Sequence, residues 1–186
     1  MRKLSLTLAT VSLAIALAAC GGGSKKSSTT TSTPLPAGCP AQALMTIATP
    51  SGNVTVAAAT RKALVRKNFI TVYLFSKLLN PQTTDFSKFV GSSFRVDGDG
   101  AMIADGKNAT ANIAPTTGVY VVNSKAPLQL VGYSVQRNNQ LLTSSPAKPP
   151  TSAKLEITSL TPTIVCGTIN GPEGTATFIA DRIDAP

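Results

Sequence analysis

The chain of 186 residues carries 17 Lys and Arg against 8 Asp and Glu, a formal net charge of +9, with 42% apolar and 5% aromatic residues. It has no histidine, which removes the usual general base of Ser and Cys hydrolases and the commonest metal ligand. With no tryptophan and few rings to stack on bases, the positive charge does not read as a nucleic-acid surface.

Met1-Arg2-Lys3 is a short positive head, and Leu4 to Ala19 is an apolar run diluted by Ser5, Thr7, Thr10 and Ser12. That order is the one found in export signals. As a helix the run spans about 24 Å, short of the roughly 30 Å hydrocarbon core that a permanent span must cross. Residues 1–19 are therefore expected to be removed. Leu17-Ala18-Ala19-Cys20 resembles the lipobox of bacterial lipoproteins, and the resemblance covers only this leading part of the chain. It implies that Cys20 becomes the first mature residue, carries a thioether-linked diacylglycerol and is acylated at its new amino terminus. A bilayer is then the first partner, since two or three acyl chains anchor stably where one holds marginally. Gly21 stands where some inner-membrane lipoproteins carry Asp, so the resemblance places the protein in the cell envelope, at the outer membrane where there are two. The alternative is an ordinary secreted protein with Cys20 free or paired.

From Gly21 to Pro36 there are three glycines, eight Ser or Thr, two lysines and two prolines, with Leu35 the single large apolar side chain. Such a stretch cannot repay the entropy of ordering, so residues 20–38 read as a tether averaging roughly 20–25 Å. Its GGGSKKSS run does not match Gly-x-x-x-x-Gly-Lys-Ser/Thr, and no strand precedes it. Cys39 opens the following region and Cys166 lies near its end. An exported chain meets an oxidising space, so these two thiols are expected to form a bridge that pins the start of the domain to its penultimate strand.

Residues 39–186 are the size of one domain. Apolar and polar residues alternate over Ala43–Ala48, Asn53–Ala58, Phe69–Phe75, Ser92–Val96, Ala109–Ala114 and Val119–Asn123. The pattern continues over Leu128–Gln136, Gln140–Thr143, Lys154–Leu160, Thr163–Ile169 and Thr175–Ile183. Turn-formers separate these runs, among them Pro50-Ser-Gly-Asn53, Asp97-Gly-Asp-Gly100, Asp105-Gly-Lys-Asn108, Asn138-Asn139 and Asn170-Gly-Pro-Glu-Gly174. The expectation is an all-β fold, an antiparallel β-sandwich or barrel with at most one or two short helices. Pro81–Val90 is the better helix candidate; Ala57–Lys67 is read as strand despite its alanines.

Chemistry is sparse. A carboxylate-pair hydrolase would have to draw on Asp85, Asp97, Asp99, Asp105, Glu156, Glu173, Asp181 and Asp184, and forms the alternative to a non-catalytic domain. Asp97, Asp99 and Asp105 offer oxygen ligands for calcium, but Ala101 and Asn108 break the EF-hand order, so no metal and no cofactor is expected. Ser145-Pro-Ala-Lys148 matches Ser-x-x-Lys, with prolines opposing the helical turn it needs. Thirteen Lys and Arg in residues 39–186 leave a net of +5. Arg61, Lys62, Arg66 and Lys67 form a candidate basic patch for a polyanionic polymer, although an extended strand would send them to both faces. Tyr73, Phe75, Tyr120 and Tyr133 either line a pocket or fill the core. The function expected is that of a lipid-anchored envelope protein that binds a ligand, a polymer or another envelope protein, or serves envelope structure, without catalysis.

Overall fold

Alternate residues of an extended chain point to opposite sides, and that parity organises the domain. The computed structural model describes residues 34–83, 89–104, 108–122, 127–138, 140–145 and 149–184. Twelve strands form among them: β1 (Leu44–Thr49), β2 (Gly52–Ala57), β3 (Thr60–Val65), β4 (Phe69–Phe75), β5 (Ser93–Ala104) and β6 (Asn108–Asn112). The second half adds β7 (Gly118–Val121), β8 (Leu128–Arg137), β9 (Gln140–Ser145), β10 (Lys154–Leu160), β11 (Ile164–Gly171) and β12 (Gly174–Asp184). Eight strands close a barrel in the order β12, β3, β4, β5, β8, β7, β10, β11, with β11 returning to β12. β1 and β2 extend from β12, β6 from β5 and β9 from β8.

Six junctions of the barrel are antiparallel, as the alternation predicts; β12 with β3 and β7 with β8 are parallel. Both exceptions arise where one long strand shares an edge between two partners. β12 pairs with β1 over residues 174–177 and with β3 over residues 181–184. β8 meets β7 at Gln129 and β9 over residues 133–137. The step from β2 to β3 takes two small residues: Ala58 donates its amide to the Ala43 carbonyl at 3.0 Å, and Ala59 donates to Phe75 at 2.8 Å.

The interior is filled with side chains. Met45, Ile70, Val72, Phe94, Val96, Tyr120, Tyr133, Leu155 and Phe178 point inward and are buried in one cluster. Lys62, Arg95, Glu156 and Thr175 take the other parity and face out. A lipid-embedded barrel carries an apolar band outside; these four outward positions are polar or charged instead.

Asp97-Gly-Asp-Gly100 is not the turn expected from its composition. It lies inside β5, where Asp97 is 7% exposed and accepts a hydrogen bond from the Thr71 hydroxyl at 2.7 Å. Two local features hold it in the strand. The β5–β8 register shifts between Asp97 and Gly98, and a Cβ on Gly132 would sit 2.2 Å from an Asp97 carboxylate oxygen. The bulge also lets Leu130 and Tyr133, three apart, both turn inward.

Cys39 and Cys166 are bridged, with Cα atoms 5.3 Å apart, and β11 is the penultimate strand as expected. Cys166 has outward parity yet is fully buried, and its cross-strand neighbour Ile179 is buried too. Thr158, at a bulge in β10, donates to the Gly38 carbonyl at 3.3 Å. Among the described residues no helix forms. Residues 81–83 of the helix candidate make a turn, 84–88 lie outside the described residues, and Phe89 packs edge-on against Phe75 with centroids 5.0 Å apart. Within Ala57–Lys67, Ala57 ends β2 and Thr60–Val65 form β3, while residues 58–59 and 66–67 lie outside the strands.

Candidate functional site

Three chain reversals meet at one end of the barrel: Pro50-Ser51 between β1 and β2, Asn138 where β8 ends, and Pro172-Glu173 between β11 and β12. The Ala48 amide donates to the Glu173 carbonyl at 2.9 Å and ties the first turn to the third. Between the tips run two adjoining open grooves. One, of ≈ 520 Å³, is lined by Thr49, Pro50, Ser51, Val54, Arg137 and Asn138. The other, of ≈ 480 Å³, is lined by Ala48, Thr49, Pro50, Arg137, Gln140, Leu142, Pro172 and Glu173.

Beneath the second groove lies Tyr133, 1% exposed. A Cβ on Gly171 would stand 2.0 Å from its hydroxyl, so the ring reaches the end of the barrel because residue 171 has no side chain. Burial, and then the nearby Glu173 carboxylate, push the Tyr133 phenol above its ordinary value. The site thus offers hydroxyls, amides, one guanidinium and one carboxylate to a ligand lying across the barrel end. Its chemistry is that of hydrogen bonding and charge recognition.

The four basic residues do not share a face. Lys62 is on the outer wall, 2.8 Å from Asp181; Arg61 has the inward parity of Ala63 and Val65; Arg66 and Lys67 are exposed where β3 turns into β4. The aromatic residues divide as well. Tyr120 and Tyr133 belong to the core, with the Tyr120 hydroxyl held by the Thr116 backbone; Phe75 is buried against Phe89. Tyr73 lies on the outer wall, where the Arg95 guanidinium is 5.7 Å from its ring centroid.

The carboxylates are scattered likewise. Asp97 is 3.5 Å from Arg95, Asp184 is 2.7 Å from Arg182, and Glu156 accepts from Thr168 at 3.5 Å. Asp99 pairs in register with Phe69; Asp85, Asp105, Lys148 and the lipobox with Cys20 lie outside the described residues. Among the described residues no three Cys, Asp or Glu gather as metal ligands. Arg137 and Pro50 were not candidate site residues from sequence, and Tyr133 and Glu173 were read separately, as a pocket-or-core ring and a candidate carboxylate, not as neighbours. The turn motifs flank them all, but nothing in a linear pattern says that three turns converge. No family model matches the chain, and no curated protein or solved structure matches it.

Proposed function

We propose that the protein is a bacterial envelope lipoprotein whose acylated Cys20 holds it to a bilayer, at the outer membrane where there are two, with residues 20–38 as tether and a non-catalytic β domain as binding module. The observation that carries the binding role is the open groove system at one barrel end, with Arg137 and Glu173 as its charged residues. A hydrolase of the two-carboxylate kind needs its acids about 5–10 Å apart across a groove. Asp97, Glu156 and Asp181 instead lie on the outer wall, engaged by Thr71, Thr168 and Lys62. The ligand would be an envelope protein or an anionic polymer, not nucleic acid, and no cofactor enters.

Mass spectrometry of the native protein tests the anchor: the expected amino terminus is Cys20 bearing diacylglycerol and an amide-linked acyl chain. An unmodified Cys20, or a start elsewhere, overturns it. A pull-down from envelope extract, compared with a version lacking Cys20, tests the domain. Partners retained by both forms are expected; partners that vanish with the lipid would overturn recognition by the domain.

A further inference from the structure

Among the described residues β2 pairs with β1 alone. Its register places Ala57 opposite Leu44 and Gly52 opposite Thr49, and the Ala58–Ala43 hydrogen bond fixes the phase of the ladder. Bonded and non-bonded pairs alternate in an antiparallel ladder. The peptide groups of Val54 and Val56 therefore turn toward β1, and those of Asn53, Thr55 and Ala57 turn away from it. On that outward side Ala59 donates to Phe75, the last residue of β4, after which the chain turns off through Ser76, bonded to Ser92. The outward groups of β2 thus continue the line of the β3–β4 ladder past the point where β4 stops.

Natural edges are guarded by charge, proline or bulges. Gly52–Ala57 carries no charge, no proline and no register shift, and Val54 is 49% exposed. Val54 of this edge strand, on the face it shares with Ile47, lines the first groove with Thr49, Pro50, Ser51, Arg137 and Asn138. Arg137 is the charged residue of that groove, in a domain of net +5, while Glu173 in the adjoining groove disfavours an acid there. Main-chain bonding along an edge, with a neighbouring pocket for alternate side chains, is how added strands are recognised.

We infer that β2 accepts an extended segment of a partner protein as an added strand, one acidic side chain of that segment meeting Arg137. This rests on the binding-module reading and names its partner as an acidic peptide strand.

The test uses the full chain and two synthetic peptides of alternating Thr and Val, one with Asp and one with Lys at the same position. With the Asp peptide, hydrogen exchange is expected to slow at Asn53, Thr55 and Ala57. The Lys peptide should bind about fivefold more weakly, the worth of one exposed ion pair, and Arg137→Gln should erase that preference. Thr55→Pro removes an N–H that points away from β1 and should abolish binding. Three results overturn the inference: no slowing at those amides, equal affinity for both peptides, or slowing that follows protein concentration without peptide, which would make the occupant a second copy. Should Thr55→Pro not fold, the peptide pair on the unaltered chain still decides. Failure here with a diacylated Cys20 leaves the envelope assignment standing; an unmodified Cys20 removes that assignment without touching the peptide result.

Discussion

Asp97 sits on the outer wall of β5 with the Thr71 hydroxyl bonded to one oxygen and Arg95 near the other. Thr71 is 2% exposed, so removing the acceptor strands a buried donor. Asp97→Ala is expected to lower unfolding free energy by about 2 kcal/mol, read from urea denaturation, whereas Arg95→Ala, at an exposed pair, should cost well under half of that. Tyr133 supplies a pH dependence. Its folded-state pKa is raised above 10.0, so its contribution to stability is fully present below that value. Above it the unfolded chain releases the proton first, and stability falls by up to about 1.4 kcal/mol per pH unit. Tyr133→Phe should flatten that alkaline decline in urea midpoints measured at successive pH values. Burial raises Tyr120 as well, so part of the decline remains. An equal decline in both proteins would show that Tyr133 does not carry it.

Among the elements, the bridge joins the approach to β1 with the middle of β11 across 127 residues. A loop of that length is worth about 5 kcal/mol on the chain-entropy model. Cys39→Ser with Cys166→Ser should lower the urea midpoint correspondingly, since no other disulfide forms among the described residues. This bridge and most strands were legible in the sequence, because alternation marks a wall with one wet and one buried side. β4 and β10 match their expected limits residue for residue. β5 was cut short in the reading because Asp97, Gly98, Asp99 and Gly100 have turn chemistry; a contact from another strand, Thr71, overrides it. The sharing of the β12 and β8 edges was not legible, since pairing partners are set by closure and not by local pattern. The groove escaped for the same reason, its walls coming from turns up to 123 residues apart in sequence, as Pro50 and Glu173 are.

Closure of the whole barrel depends on β12 meeting β3 and β11 at once. The β12–β3 pairs lie over a hundred residues apart in sequence, as Lys62 and Asp181 do, which predicts slow folding because distant ends must meet before their contacts reward it. Stopped-flow refolding should be faster with the bridge intact than after reduction, because Cys39 then already holds β11 near the start of β1. Equal rates would mean that the meeting of β11 with the amino-terminal segment does not limit folding. The same bridge decides how the domain answers mechanical load. A pull on the backbone ahead of Cys39 does not peel β1 from β12 rung by rung. Tension crosses the sulfur link into the interior of β11, a strand clamped by a neighbour on each side, and must shear two ladders together. Drag on the protein's far end would therefore be resisted by the barrel wall itself, and chemical reduction would convert a load-bearing seam into one that unzips.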